Sequence, residues 1–116
     1  MAFMGTIMPK SPNFIRIKAD VLRLVAEIPR GRVTTYGTIG KELDVMARHV
    51  AYILAMLTDE EANVVAWHRV VGQVGLLKAT KHRPVSTQRV LLEAEGISVS
   101  GKGQVEDFDR VEYTFA

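Results

Sequence analysis

Thr35-Tyr36-Gly37-Thr38-Ile39-Gly40-Lys41-Glu42-Leu43-Asp44-Val45-Met46-Ala47-Arg48-His49-Val50-Ala51-Tyr52-Ile53-Leu54-Ala55-Met56-Leu57 is the stretch on which the fold turns. Thr35 supplies a side-chain oxygen that caps a helix from Tyr36 to about Leu43, with Ile39 and Leu43 on one face. Asp44 reads as a turn residue or as the cap of the next helix. That helix runs from Val45 to Leu57, with Met46, Val50, Ile53, Leu54 and Leu57 recurring along its apolar side. Two short helices across a tight turn make a helix-turn-helix pattern. The expected fold is therefore mainly α: a winged-helix-like (helix-turn-helix) single domain with a small β element.

Outward from this pair the chain keeps the same grain. Upstream, Phe14, Ile17, Val21, Leu24, Val25 and Ile28 have helical spacing, so a helix is predicted from Asn13, its cap, to Ile28. Pro29 and Gly31 stop it, and Arg32-Val33-Thr34 is short and extended. Residues 1–12 carry Gly5, Pro9, Ser11 and Pro12 and read as a flexible lead-in to a domain over 13–116. Downstream, Thr58 to Asn63 is polar and acidic and reads as a loop. Val64-Val65-Ala66 leads into Trp67-His68-Arg69-Val70-Val71-Gly72, with Leu76-Leu77 as a returning strand. A basic loop follows, with Lys78, Lys81, His82 and Arg83. Ser86 is the expected cap of a helix from Thr87 to Glu95, closed by Gly96. The acidic end, with Phe108, Val111, Tyr113 and Phe115, reads as a strand packed on the core.

Composition narrows the chemistry. The 116 residues contain no cysteine, which excludes a disulfide scaffold, a thiolate metal site and a cysteine nucleophile. No apolar run reaches the roughly 18 residues needed to span a bilayer, so no membrane partner is expected and the place of action is read as cytoplasmic, nucleoid-associated in a prokaryote. The net charge of +2 hides an asymmetry: residues 1–83 hold 12 basic and 7 acidic side chains, residues 84–116 only 3 basic and 6 acidic. A basic first part suits a polyanion such as nucleic acid.

Four runs in order resemble one family. Ile28-Pro29-Arg30-Gly31-Arg32-Val33-Thr34-Thr35-Tyr36-Gly37-Thr38-Ile39 is similar to the opening of the DNA-binding domain of the O6-alkylguanine-DNA alkyltransferases. Ala47-Arg48-His49-Val50 resembles their recognition helix, Ala66-Trp67-His68-Arg69-Val70-Val71-Gly72 their Pro-Cys-His-Arg-Val active-site motif, and Leu91-Leu92-Glu93-Ala94-Glu95-Gly96 the helix end that closes the domain. Trp67 stands where the alkyl-accepting cysteine falls. That departure is the mark of the alkyltransferase-like proteins. The resemblance implies non-enzymatic recognition of O6-alkylguanine in double-stranded DNA, by minor-groove binding and nucleotide flipping. It also implies hand-over to other machinery, the nucleotide excision repair proteins. No cofactor, no metal and no catalytic residue is expected, and a monomer is.

The task explains the residue types. Extruding a nucleotide costs a few kcal/mol, so the protein needs a phosphate anchor, a plug for the vacated stack and a pocket for the base. Thr35 and Tyr36 sit at a helix start, where unpaired N–H groups meet phosphates. By resemblance, Tyr36 pushes on the phosphate of the flipping nucleotide. Arg48 matches the intercalating arginine, a long planar cation beside the small Ala47 and Ala51. The expected lesion pocket comprises Tyr36, Trp67, His68, Arg69, Val70, Lys78 and Lys81, with Trp67 as a flat wall. With no thiol to activate, His68 is read as structural, and Arg69 as bound to a carbonyl or carboxylate. One basic side chain of the 78–83 loop is placed near O6. The Gly-Tyr-rich loop of the family is absent here, as is the proline before the reactive position.

Two other classes compete. A sequence-specific helix-turn-helix regulator would read bases with its second helix, but Ala47, Arg48, His49, Ala51 and Tyr52 are poor in the Asn, Gln and paired Arg of direct readout. A hydrolase or metal enzyme is disfavoured because His49, His68 and His82 lack ligand spacing and Ser86 and Ser98 lack a nucleophile elbow.

Overall fold

The computed structural model describes residues 12–80 and 83–115. The lead-in through residue 11, and Lys81 and His82, lie outside these. The elements are α1 (Pro12–Glu27), β1 (Thr34–Thr35), α2 (Tyr36–Leu43), α3 (Ala47–Ala55), α4 (Asp59–Val64), β2 (Val70–Val71), α5 (Val85–Glu93) and α6 (Phe108–Val111), with single 3-10 turns at Trp67–Arg69 and Gln73–Gly75. The fold is mainly helical, around a helix-turn-helix and a two-stranded parallel sheet.

The α2–α3 pair follows the sequence reading closely. Thr35 is the cap, its hydroxyl accepting the Thr38 N–H at 3.0 Å. Asp44 closes α2 in the left-handed region at φ 58°, a conformation Asp tolerates better than most residues. The turn is tight because Gly40 has no side chain: a Cβ there would lie 2.5 Å from the Val45 carbonyl oxygen. Val45 instead donates its N–H to Gly40 O at 2.8 Å. This bond uses Val45 as turn backbone, so α3 starts at Ala47 rather than Val45, and it ends at Ala55 rather than Leu57.

β1 and β2 divide the interior. Thr34 pairs with Val70 and Thr35 with Val71, and alternate strand residues face opposite ways. Val70 joins a core of Val21, Leu24, Val25, Ile28, Ile39, Val50, Ile53 and Leu54. Val71 joins a second cluster with Val33, Leu77, Leu92, Ile97, Val99 and Val105. The sheet thereby holds the chain leaving β1 at Tyr36 and the chain entering β2 through Trp67. The buried Thr34 hydroxyl has no hydrogen-bond partner among the described residues. Thr34→Val keeps the shape and removes that polar group, so it is expected to stabilise the domain by about 1 kcal/mol, read as a higher midpoint in thermal melting.

Several expectations are corrected. Asn13 lies inside α1 and accepts from Arg16 Nη2 at 3.3 Å; Pro12, whose fixed φ suits a first helical turn, begins the helix. The 58–63 segment is a helix, not a loop. Thr58 and Glu61 form a reciprocal capping box, each side chain bonded to the other's backbone N–H. It buries no residue of its own, so no apolar periodicity announced it. α5 starts two residues early, with Pro84 in the cap position instead of Ser86. Leu76 makes a single bridge to Gln104 rather than a strand. The acidic end is a helix over Phe108–Val111, and only Glu112 bridges back to Val33.

Candidate nucleic-acid interface and base pocket

One face of the helix-turn-helix is open. Ala47 and Arg48 are exposed in the first turn of α3, and Ala51 is half-buried one turn on. Arg48 forms no hydrogen bond or ion pair with any described residue, so its guanidinium is held only by its own stem. At the start of α2 the Thr35 and Thr38 hydroxyls meet at 2.9 Å, beside the first-turn N–H groups that a helix leaves unpaired. An anion is favoured there by both donors and dipole.

Beside this face lies a slot lined by Tyr36, Trp67, Lys78, Thr80, Arg83 and Gln88, closed at its inner end by Leu54 and Ala55. It holds only about 10 Å3 of free space, about one water's worth, so a base enters only if side chains part. On the far side of Trp67 a groove of about 540 Å3 runs between α4 and α5, and Trp67 and Arg83 line both spaces. Tyr36 is half-buried, and burial pushes its phenol above the ordinary value near 10.0. Its O–H therefore stays a donor at neutral pH. Gln88, buried, donates to His68 O at 3.0 Å and Val70 O at 2.9 Å and fixes the backbone behind Trp67.

Arg83 is the residue that sequence reasoning left unspecified. It is 8% exposed. Nη1 donates to Leu54 O at 3.2 Å and Ala55 O at 3.1 Å, and Nη2 to Leu57 O at 2.7 Å. These carbonyls lie in the last turn of α3 and just beyond it, where intrahelical donors run out. Its Cζ sits 5.2 Å from the Trp67 ring centroid, a cation–π distance. The sequence held one oblique signal: Met56-Leu57 follow α3 with no Gly or Asn to close it, which leaves room for a donor from elsewhere.

Behind the slot sits a charged cluster centred on Glu95. Its carboxylate accepts from His68 Nε2 at 2.7 Å, Arg69 Nη2 at 2.9 Å and the Gly31 N–H at 2.8 Å. Arg69 also donates through Nε, and its Nη1 reaches Ile28 O at 2.9 Å. Burial alone would raise the Glu95 pKa. The bonds from Arg69, Gly31 and His68 outweigh it and bring it down to about 2. The network ties the turn after α1, the 3-10 turn carrying Trp67 and the end of α5 into one unit.

The structure thus brings Tyr36, Trp67 and Lys78 together at the slot, and places His68 on the neighbouring groove. Arg69 and Val70 are removed from the expected pocket. Arg69 is spent on Glu95 and Ile28, and Val70 is wholly buried in the core. Among the described residues no group of His, Asp and Glu side chains could hold a metal ion, and no helix is long and apolar enough to cross a membrane.

Fold and slot define a helix-turn-helix domain with a side pocket opening beside its second helix. The DNA-binding domain of the 6-O-methylguanine DNA methyltransferases matches residues 16–97. The chain belongs to that family, on its alkyltransferase-like branch. It is 41% identical over 88 residues to the DNA base-flipping protein of Escherichia coli (strain K12), covering 74% of this chain and 66% of that protein. The chain thus spans just under two thirds of that relative. A DNA base-flipping protein of Vibrio parahaemolyticus is 37% identical over 88 residues, covering 74% and 85% respectively. Among solved structures, S. pombe Atl1 in complex with damaged DNA containing O6-carboxymethylguanine superposes with a TM-score of 0.75 at 26% identity, over 87% of this chain and 97% of that one. The O6-methylguanine-DNA methyltransferase of Pyrococcus kodakaraensis gives a TM-score of 0.58 at 26% identity, over 76% of this chain and 48% of that one.

Proposed function

We propose that this protein recognises O6-alkylguanine in duplex DNA, from the minor groove and by flipping the nucleotide, and performs no chemistry on it. The observation that carries the reading is the slot itself: an aromatic wall, Trp67, faced by a cation, Arg83, and lined also by Tyr36, beside a helix-turn-helix whose Arg48 is unpaired among the described residues. A base stacked on an aromatic ring gains about 1–3 kcal/mol, enough to offset much of the cost of extrusion. Arg48 fills the vacated stack, while Thr35 and Tyr36 meet the phosphate at the start of α2. With no cysteine in the chain, the pocket holds no thiolate to accept an alkyl group, and His68 is bonded to Glu95 rather than poised beside a nucleophile. The names of the relatives support this reading: base-flipping proteins, and a complex with damaged DNA. In this proposal the protein acts as a monomer at the nucleoid and passes the marked lesion to nucleotide excision repair.

The test is binding to matched duplexes carrying O6-methylguanine or guanine. Preferential binding is expected, with the methyl group still on the DNA afterwards by mass spectrometry. The logarithm of affinity should fall with that of salt, by about 0.9 for each phosphate contacted. Equal binding to both duplexes would sink lesion recognition and return the protein to the regulator class.

A further inference from the structure

We propose that the groove between α4 and α5 docks an amphipathic helix of a partner protein, one with an apolar face flanked by Lys or Arg. The proposal goes beyond lesion recognition and concerns a different surface. A surface helix commonly turns an apolar stripe to the core. α4 buries none of its residues. It is kept in place by its reciprocal cap and by the Lys18–Glu61 ion pair at 2.8 Å. Its apolar side chains Ala62 and Val64 line the groove instead, and Val64 is 84% exposed. Leu91 of α5 and the indole of Trp67 line the same space. At about 540 Å3 the groove falls within the roughly 300–1,000 Å3 of clefts that hold ligands. A trench between two helices, with apolar side chains on both walls, suits a helix laid into it.

Charge selects the occupant. The cations that line the groove are engaged: Arg83 on the carbonyls of Leu54, Ala55 and Leu57, and His68 on Glu95. The charge left over is negative. Asp59 lines the groove and Glu60 follows it on α4, both exposed, their carboxylates unpaired among the described residues. An acidic wall repels nucleic acid and attracts a basic segment. Thr35, Ala47 and Arg48 do not line the groove, so the partner and DNA do not compete for one surface.

The experiment titrates the full chain, without DNA, with two synthetic amphipathic helical peptides of one pattern, one built from Leu and Lys and the other from Leu and Glu. Trp67 is the single tryptophan of the chain and lines the groove, so its fluorescence reports occupation. The Lys peptide is expected to give a saturable change and the Glu peptide none. Val64→Asn removes apolar contact and should raise the Kd about tenfold. The pair Asp59→Asn and Glu60→Gln should raise it about threefold and flatten its salt dependence. None of these three residues lines the slot, so the lesion duplex should bind the variants as it binds the wild type. No change with either peptide, or the same change with both, overturns the proposal. A response to the Lys peptide that survives both sets of substitutions overturns the assignment to this groove. Dimerisation in sedimentation equilibrium that Val64→Asn abolishes gives the groove to a second copy of the chain, and also overturns it. With no DNA present, each outcome is read apart from lesion recognition.

Discussion

Replacing Arg48 with alanine is expected to raise the Kd for an O6-alkylguanine duplex about 30-fold or more, the loss of roughly 2 kcal/mol typical of a central contact. The thermal midpoint should not move. Both halves follow from position. Arg48 is exposed in the first turn of α3 and has no partner among the described residues, so truncation costs the free protein nothing beyond the ordinary half a kilocalorie of a surface change. Flipping a nucleotide leaves the neighbouring base pairs without a stacking partner and the opposite base without a hydrogen-bonding one. A guanidinium is planar enough for the first task and rich enough in donors for the second. The exposed Ala47 and half-buried Ala51 flank it with little bulk, so the helix can approach the groove wall. Arg48→Lys separates the two contributions: it keeps phosphate attraction but loses the plane, and should recover only a small part of the affinity. Titrations with a labelled duplex at fixed salt would show this. An alanine variant that binds the lesion as the wild type does would remove the plug from the mechanism.

What the sequence disclosed and what it hid divide along chain separation. Thr35 and the α2 helix it caps were legible because every determinant lies within four residues, as was the stop at Pro29; Asp44 was legible as a turn residue or a cap, and its left-handed backbone decides for the end of α2. α4 was equally local, yet the acidic run Asp59-Glu60-Glu61 reads as solvated loop unless Thr58 and Glu61 are recognised as a reciprocal cap. The site was legible in part. Trp67 and Tyr36 were found through a resemblance, not through periodicity, because a half-buried aromatic in a pocket and one in a core look alike in sequence. Arg83 was hidden because its role is set by carbonyls 26 to 29 positions away. Glu95 was hidden in the same way: its partners His68, Arg69 and Gly31 lie 26 to 64 positions distant. A charged residue in a loop or at a helix end announces its type but not the address it answers to.

That hidden carboxylate carries the largest expected effect on stability. Glu95 is 4% exposed at its side chain, and folding lowers its pKa from the ordinary 4.5 to about 2. The native state therefore binds its proton more weakly than the unfolded chain does. Between those values the unfolded state holds more protons, so stability rises with pH. The contribution is complete above about pH 5, amounts to roughly 3 kcal/mol there, and drains away as pH falls toward 2. For a domain of this size that is a large share of the total. Urea unfolding from pH 7 down to pH 2 should show it as an acid limb with a midpoint falling through this window. Glu95→Gln should flatten the limb while lowering stability at neutral pH. Glu95→Ala should cost more, about 3–5 kcal/mol, because it strands the guanidinium of Arg69 beside His68 with only the Ile28 carbonyl to meet it. The same loss reaches the pocket, since the 3-10 turn that Glu95 clamps is the one that presents Trp67. Lesion affinity in Glu95→Gln should therefore fall even at temperatures where the variant is fully folded. An acid limb identical in wild type and variant would mean that other carboxylates set the acid stability and that this cluster does not hold the site.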